Sequence, residues 1–325
     1  MNAPRRSAVV LLQLGGPDSL DAVEPFLYNL FCDPDIIDLP LAFLFRKPLA
    51  RLISSRRAPF VQEYYRHIGG RSPILRLTRR QAIALERRLP AEAQVGVKVA
   101  MRYWHPLTEQ TVKELHDERV ERVVLLPLYP QYSRSTTGSS VNEWRRIATR
   151  AGYSPDVRVV EEYCEHPLYV RALVEHIRIG LLRVPEADRK NVHLLFSAHG
   201  TPMKLVRQGD PYQGQIERTR NAVVRAGNFG LPHHLCYQSK VGPQKWLEPS
   251  LTGTIRTLAT DGISHVLVVP LAFVSNHVET LWEINMEVRR EANALGIRYF
   301  DMTPALHTNA SFIGALAELA TERLQ

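Results

Sequence analysis

Cysteine is scarce in this chain, with Cys32, Cys164 and Cys236 the only three among 325 residues. An odd number with no C-x-x-C pair excludes a disulfide framework and offers no zinc pattern. His233, His234 and Cys236 are a tempting trio of ligands. Adjacent side chains on an extended segment point to opposite faces, however, so they read as an ordinary loop. Long apolar runs are missing too. Nothing approaches the roughly 20 apolar residues that span a bilayer, and the start Met1-Asn2-Ala3-Pro4-Arg5-Arg6 with its short apolar run does not have the form of a signal peptide. Neither G-x-G-x-x-G nor G-x-x-x-x-G-K-[ST] follows any strand-like run, which disfavours a nucleotide site. Gly15-Gly16-Pro17 lacks the later glycines, and Pro17 removes an N–H that a phosphate would want. Lysine is sparse, at seven of 41 basic residues, and the arginines are scattered among acidic neighbours instead of clustering in a nucleic-acid motif. The net charge of +8 therefore suits an anionic substrate or an anionic lipid surface better than a nucleic acid.

What is present is enough apolar sequence, 45% of residues, for one large or two ordinary domains. Strand-like runs fall at Ala8–Leu14, Gln94–Met101, Arg122–Leu128, Val157–Val160, Val192–Ser197, His234–Gln238, His265–Leu271 and Arg298–Phe300. Helical patterns lie between them, at Pro73–Arg88, Leu107–Asp117, Leu168–Leu182, Gln213–Ala226 and Leu251–Asp261. Such alternation predicts an α/β protein with parallel sheets. Val123-Val124-Leu125-Leu126-Pro127-Leu128 echoes Val266-Leu267-Val268-Val269-Pro270-Leu271, and Gly15-Gly16-Pro17 has a counterpart in Gly200-Thr201-Pro202. The expectation is two Rossmann-like domains facing one another across a cleft. Residues 1–127 form the first and 128–304 the second, with a C-terminal helix in 305–325, near Ser311–Arg323, packing back on the first.

Leu194-Leu195-Phe196-Ser197-Ala198-His199-Gly200 delivers an imidazole at the end of a buried strand, the place where open α/β sheets bind ligands. A second strand end runs through Phe273-Val274-Ser275-Asn276-His277-Val278 into Glu279, Glu283 and Glu287. Their i, i+4, i+8 spacing puts three carboxylates about 6 Å apart along one helix face. Two readings fit that spacing: a polar track that relays protons or cations, and a solvated face with Glu287 paired to Arg290.

Seven strings carry a resemblance that spacing alone does not. They are Leu14-Gly15-Gly16-Pro17; Tyr65-Arg66-His67-Ile68-Gly69-Gly70-Arg71-Ser72-Pro73; Met101-Arg102-Tyr103-Trp104-His105-Pro106; Tyr129-Pro130-Gln131-Tyr132-Ser133 with Ser135-Thr136-Thr137-Gly138-Ser139-Ser140; Ser197-Ala198-His199-Gly200-Thr201-Pro202; Gln238-Ser239-Lys240-Val241-Gly242-Pro243; and Phe273 through Leu281. In this order and nearly end to end, the chain resembles the ferrochelatases, which insert ferrous iron into a porphyrin late in haem synthesis. The resemblance implies a chelatase-like pair of Rossmann domains, with His199 and Glu279 as catalytic and metal-holding residues and Glu283 and Glu287 continuing a proton or metal path. It places Leu14, Arg57, Tyr65, Ser72, Arg102 and Tyr103 against the porphyrin, with arginine pairing the propionates. Phe60 stands where animal members commonly have a lysine. Leu14 stands where members acting on coproporphyrin typically have a tyrosine, so protoporphyrin IX is the expected substrate and Fe²⁺ its co-substrate. Some members carry an iron–sulfur cluster on a cysteine-bearing C-terminal extension. With no such tail and with Arg134 in the Ser-rich loop, no cluster and no permanently bound cofactor are expected.

Between Asp38 and Arg57, Leu39, Leu41, Phe43, Leu44, Phe45, Leu49, Leu52 and Ile53 interleave with Arg46, Lys47, Arg51, Arg56 and Arg57. That lip suits a hydrophobic cleft, or a peripheral contact of residues 39–57 with anionic membrane, on an otherwise cytoplasmic enzyme. It also reads as an amphipathic helix packed on its own domain. The alternatives to protoporphyrin insertion are a coproporphyrin III ferrochelatase, another tetrapyrrole metal chelatase, a non-catalytic porphyrin or haem carrier, and a nucleotide-sugar glycosyltransferase with the same paired halves.

Overall fold

The computed structural model describes residues 6–36, 42–90, 95–240 and 244–325, with the side chains of 42–44 outside that description. Residues cluster into two units, Met1–Glu162 with Ile313–Gln325, and Tyr163–Phe312. The first unit thus runs on to Glu162 where a boundary at 127 was expected, because one more strand continues its sheet.

The first unit contains β1 (Ser7–Gln13), α1 (Val23–Phe31), α2 (Ala42–His67), α3 (Ile74–Glu86), β2 (Val95–Met101), α4 (Thr108–Asp117), β3 (Arg122–Pro127), α5 (Ser139–Arg150) and β4 (Asp156–Val159). The second contains α6 (Pro167–Leu182), β5 (His193–His199), α7 (Met203–Arg207), α8 (Tyr212–Gly227), β6 (His233–Gln238), α9 (Leu251–Thr260), β7 (His265–Pro270), a π-helix (Glu279–Val288), α10 (Arg289–Ala294) and β8 (Tyr299–Met302). A last helix, α11 (Ala310–Leu324), starts in the second unit and contributes most of its length to the first. Each unit has one four-stranded sheet, in the orders β2-β1-β3-β4 and β6-β5-β7-β8, and every pairing is parallel. The same order recurs with the numbers raised by four. This gives the sequence echo a structural meaning, since β3 and β7 hold equivalent places and so do the loops after β1 and β5.

The strands read as near-continuous apolar runs because both faces of a parallel sheet are covered. All six residues of β7 are buried, as are Leu194 to Ala198 within β5. One face of the first sheet packs Val10, Leu12 and Leu125 against Trp144 and Ile147 of α5. In the second, Leu195, Val266 and Val268 pack against Ile255 and Leu258 of α9 and against Ile284 and Val288 of the π-helix. Local chemistry sets several helix ends. His166 caps α6 by accepting from the Leu168 amide at 3.3 Å with Pro167 following, Ser250 caps α9 by accepting from the Gly253 amide at 3.2 Å, and Asn228 closes α8 in the left-handed region.

One element follows the helical reading of its segment and runs beyond it, and another departs from the sequence reading. The 26-residue helix α2 carries Pro48 and Pro59 inside it, residues that ordinarily end a helix. Its buried Ala50, Ser54, Ala58 and Tyr65 form one stripe, and Gln62 donates to the Leu20 carbonyl at 3.0 Å near α1. Packing therefore outweighs the prolines. Second, β5 extends two residues past the expected end at Ser197, so His199 is the strand's last residue and not a loop residue. Gln94, at the expected start of β2, and Leu39 and Leu41 of the lip lie outside the described residues.

Candidate functional site

The last residue of β5, His199, pairs in register with Gln238 at the end of β6. The next residue must turn away at close range. The Gly200 amide donates to the Gln238 carbonyl at 2.7 Å, and a Cβ on Gly200 would lie 2.8 Å from that oxygen and 3.2 Å from the Trp246 ring. Any other residue would push the strand end out of place. The Gly200 carbonyl in turn faces His199 Nδ1 at 2.6 Å. A carbonyl can only accept, so Nδ1 carries the proton and Nε2 of the neutral ring keeps its lone pair.

That lone pair faces Glu279 Oε1 at 3.7 Å. His277 is arranged in the same way, with Nδ1 donating to the Ser275 carbonyl at 3.1 Å and Nε2 lying 3.8 Å from Glu279 Oε2. Phe273 packs against both imidazoles, with ring centroids 6.5 Å from His199 and 4.6 Å from His277. One carboxylate is thus flanked by two imidazole nitrogens at distances too long for hydrogen bonds. His199 remains 37% exposed and Glu279 21%, so the gap between them is open to a ligand.

Glu279 begins the π-helix, whose Ile284 and Val288 are held in the core. This is a correction to the α-helical face inferred from the i, i+4, i+8 spacing, since a π-helix closes wider i→i+5 turns and so aims those side chains differently. Exposure still rises along the row. Glu279 and Glu283 are partly buried and Glu287 is exposed, and among the described residues no ion pair joins Glu287 to Arg290. Glu283 accepts from the Ser239 amide at 2.8 Å and the Ser239 hydroxyl at 2.5 Å. Ser239 reaches it with φ of 63°, the left-handed region that serine rarely adopts.

The two carboxyl groups ionise in opposite ways. Burial alone would raise Glu279, but the positive charges that His199 and His277 carry when protonated outweigh it and hold the group down at about 2. Burial, reinforced by the Glu279 charge, pushes Glu283 up to about 7, although the Ser239 bonds pull the other way. The site therefore offers a permanent anion beside a carboxyl group that exchanges protons near neutral pH. A cation about 2.1 Å from both His199 Nε2 and Glu279 Oε1 would subtend about 120° between them, within the range of ordinary metal geometry. Among the described residues no group of three His, Cys, Asp or Glu side chains is arranged to hold a metal ion, so a cation placed there would meet two protein ligands and no third.

The candidates of the first unit sort differently. Leu14 follows β1, and its carbonyl accepts from the Tyr103 amide at 3.0 Å, which keeps Leu14, Arg102 and Tyr103 together at the strand ends. Ser72 lies against Gly16, where a Cβ would come within 2.6 Å of its Oγ. Arg57 stacks 5.9 Å over the Phe31 ring and is partly exposed. Tyr65 is buried, and Tyr103 is fully buried with its phenol donating to Asp33 at 2.5 Å. Burial, with the Asp33 charge adding, holds the Tyr103 phenol well above its usual range. Arg102 is committed inward as well, 3.0 Å from the fully buried carboxylate of Asp33 and 2.8 Å from Ser139 Oγ. Arg102 and Tyr103 thus lie at the strand end, as expected, with their polar groups bonded inward to Asp33 and Ser139. Phe60 is 70% exposed. The reading of sequence alone passed over Asp33, Ser239 and His277, although the last two sit inside the quoted strings.

The model of the family described as Ferrochelatase matches residues 6–324. The ferrochelatase of Geotalea uraniireducens (strain Rf4) is 47% identical over 317 residues, covering 97% of each chain, and that of Cyanothece sp. (strain PCC 7425) is 45% identical over 326 residues, covering 98% of this chain and 83% of the other. Among solved structures, SirB from Bacillus subtilis with Fe³⁺ is similar with a TM-score of 0.54 at 12% identity, covering 98% of this chain and 96% of that one. CbiX, described as the terminal enzyme of sirohaem biosynthesis in denitrifying bacteria, is similar with a TM-score of 0.51 at 11% identity, covering 98% and 99%. At those identities the structures speak for the two-unit chelatase fold alone.

The raised carboxyl group has a consequence for stability. The folded state binds more protons than the unfolded chain between the ordinary 4.5 of Glu283 and about 7, so its contribution is present below 4.5 and is lost as pH rises through 7. Glu283→Gln, neutral at every pH, should therefore gain on the wild type between pH 4.5 and pH 8, by a few degrees in Tm. Parallel Tm curves for the two proteins across that window would contradict the assignment.

Proposed function

The chain belongs to the ferrochelatase family, an enzyme family that inserts iron into a porphyrin in haem synthesis, and from that premise we propose that His199 and Glu279 carry the insertion and that the porphyrin is protoporphyrin IX. Fe²⁺ replaces two pyrrole N–H protons, so each turnover yields one haem and releases two protons. The observation that carries the assignment is the pair of nitrogens turned on Glu279, above all His199 Nε2 with its lone pair uncommitted 3.7 Å from Oε1.

Each group has a task that its environment suits. Glu279, ionised throughout the neutral range, faces the arriving cation and lowers the cost of stripping its water. The uncommitted Nε2 of His199 takes a pyrrole proton or holds the metal opposite Glu279, since neutral imidazole does both. Glu283, near 7, accepts a proton from the inner site, and the exposed Glu287 gives the path an end in solvent. Arg57, Tyr65, Ser72, Leu14, Arg102 and Tyr103 belong in this reading to porphyrin recognition. Arg57 and Ser72 serve by contact, and the buried Tyr65, Tyr103 and Arg102 serve by holding the contact surface in place.

One feature supports protoporphyrin over coproporphyrin, since Leu14 can pack on a ring and cannot ligate iron. Phe60, exposed and apolar, stands where animal members commonly have a lysine for a propionate, so it offers no charge for that contact. Each extra carboxylate would have to be desolvated or paired, and a buried unpaired charge costs several kcal/mol.

Helix α2 supports a peripheral membrane contact. Opposite its buried stripe it exposes Phe45 and Leu52, 58% and 46% exposed, among the exposed Lys47, Arg51 and Arg56. Among the described residues no helix is long and apolar enough to cross a membrane. Attachment would therefore rest on basic side chains, each contributing roughly 1 kcal/mol near an anionic surface and screened beyond a Debye length.

Mixing enzyme with protoporphyrin IX and anaerobic Fe²⁺ should produce metalloporphyrin absorbance, and His199→Ala should lower that rate by about 10²–10⁴ while leaving the far-UV spectrum intact. Glu279→Gln should be far more damaging than Glu283→Gln or Glu287→Gln, and equal activity of all three would reduce the row to a solvated helix face. Porphyrin binding without insertion by the wild type would point to a carrier. The ratio of kcat/KM for protoporphyrin IX to that for coproporphyrin III should exceed one clearly, and a preference for the second would overturn the substrate assignment. Co-sedimentation with anionic vesicles should appear at low salt, fade as salt rises, and weaken when Phe45 and Leu52 become Ser. Its absence at low salt would leave α2 without a membrane role.

A further inference from the structure

The strand that ends at His199 begins with another histidine, His193, six residues and about 20 Å away at the opposite end of the sheet. In the neighbouring strand, Leu195 pairs with His234, so His193 and His234 project diagonally from the same face. Their nitrogens meet, with His193 Nδ1 3.0 Å from His234 Nε2. The ring planes differ by only 11° and the centroids are 5.3 Å apart. That separation equals the nitrogen distance plus the two ring radii, so the imidazoles lie edge to edge in nearly one plane and share a single N–H···N hydrogen bond. Nothing in the iron-insertion chemistry uses this pair.

We propose that His193 and His234 form a second, two-imidazole binding site for a borderline divalent transition cation such as Cu²⁺, Ni²⁺ or Zn²⁺. Two nitrogens held about 2.1 Å from one cation at right angles are themselves about 3.0 Å apart, the separation found here. The backbone is therefore already in place. A turn of each ring aims both facing nitrogens at one point beside the present hydrogen bond; the ring that now donates exchanges its proton through solvent onto its other nitrogen, so that both rings stay neutral and both facing lone pairs are free for the cation. Both rings are partly buried and partly exposed, open to the cation and to waters that fill its other positions. Burial lowers both imidazoles, and His193 and His233 lower His234 further. His233 takes no part, since it packs on Phe196 with the rings 6.2 Å apart and 75° between planes. Cys236 is excluded as well, buried and donating to the Phe196 carbonyl, with its thiol pushed up by burial. Imidazole ligands favour these cations over Mg²⁺ and Ca²⁺, which prefer oxygen. At about 20 Å the site cannot pass its ion directly to His199. Its effect is to tie the start of β5 to the start of β6.

The test uses the full chain carrying His199→Ala, so that the iron site does not compete, with Cu²⁺ and Ni²⁺ as probes. Titration should show one site whose affinity falls by about tenfold or more with His234→Gln and equally with His193→Gln. The Cu²⁺ paramagnetic resonance spectrum should show two imidazole nitrogens, reduced to one in either variant. In the otherwise unaltered enzyme, His234→Gln should leave iron insertion unchanged, which separates this inference from the catalytic reading. Far-UV spectra establish that each variant is folded, and either one alone decides the matter. An affinity that falls less than tenfold in the folded variant, or an unaltered Cu²⁺ spectrum, would show a plain imidazole hydrogen bond and overturn the proposal.

Discussion

The hydrogen bond from His199 Nδ1 to the Gly200 carbonyl is the contact on which the candidate site depends. It settles which nitrogen of the ring is free, and β5 settles where that nitrogen points. Both depend on Gly200, since a side chain there would strike the Gln238 carbonyl and the Trp246 ring. A buried strand supplies rigidity, a glycine supplies the sharp exit, and the exit supplies the carbonyl that fixes the tautomer. Glu279 then needs only to be held opposite, which the core residues Ile284 and Val288 of the π-helix accomplish.

The charge pattern follows from that geometry. Two imidazoles facing one carboxylate hold it ionised when they are protonated, and burial, reinforced by the Glu279 charge, keeps the next carboxyl group protonated to higher pH. Adjacent carboxyl groups on one helix thus acquire different roles through surroundings alone. The three-carboxylate row could not have disclosed this, because spacing along a helix says nothing of what each side chain faces.

Much of the architecture was legible in the chain. Apolar runs such as Val266–Pro270 could only be doubly covered strands, and the echo between β3 and β7 corresponds to a strand order repeated in both units. His199 stood out because a strand discharged into it. Other features were hidden for physical reasons. The full length of α2 was not legible, since it runs through Pro48 and Pro59 and is held by burial of Ala50, Ser54 and Ala58. The bonding of Arg102 and Tyr103 to Asp33, distant in sequence and unremarkable in composition, was not legible either. The histidines at 193 and 234 showed nothing until strand register brought them together, and the nearby trio of His233, His234 and Cys236 pointed to the wrong set of residues.

The central claim is that His199 and Glu279 act on the same metal and proton transfer as one unit. A double-mutant cycle on the rate of iron insertion, with His199→Ala and Glu279→Gln made singly and together, measures this most directly. Coupled residues give a double variant scarcely slower than the worse single one. Losses that multiply, so that the double variant is slower by the product of the two single effects, would show that the residues act independently and contradict the account.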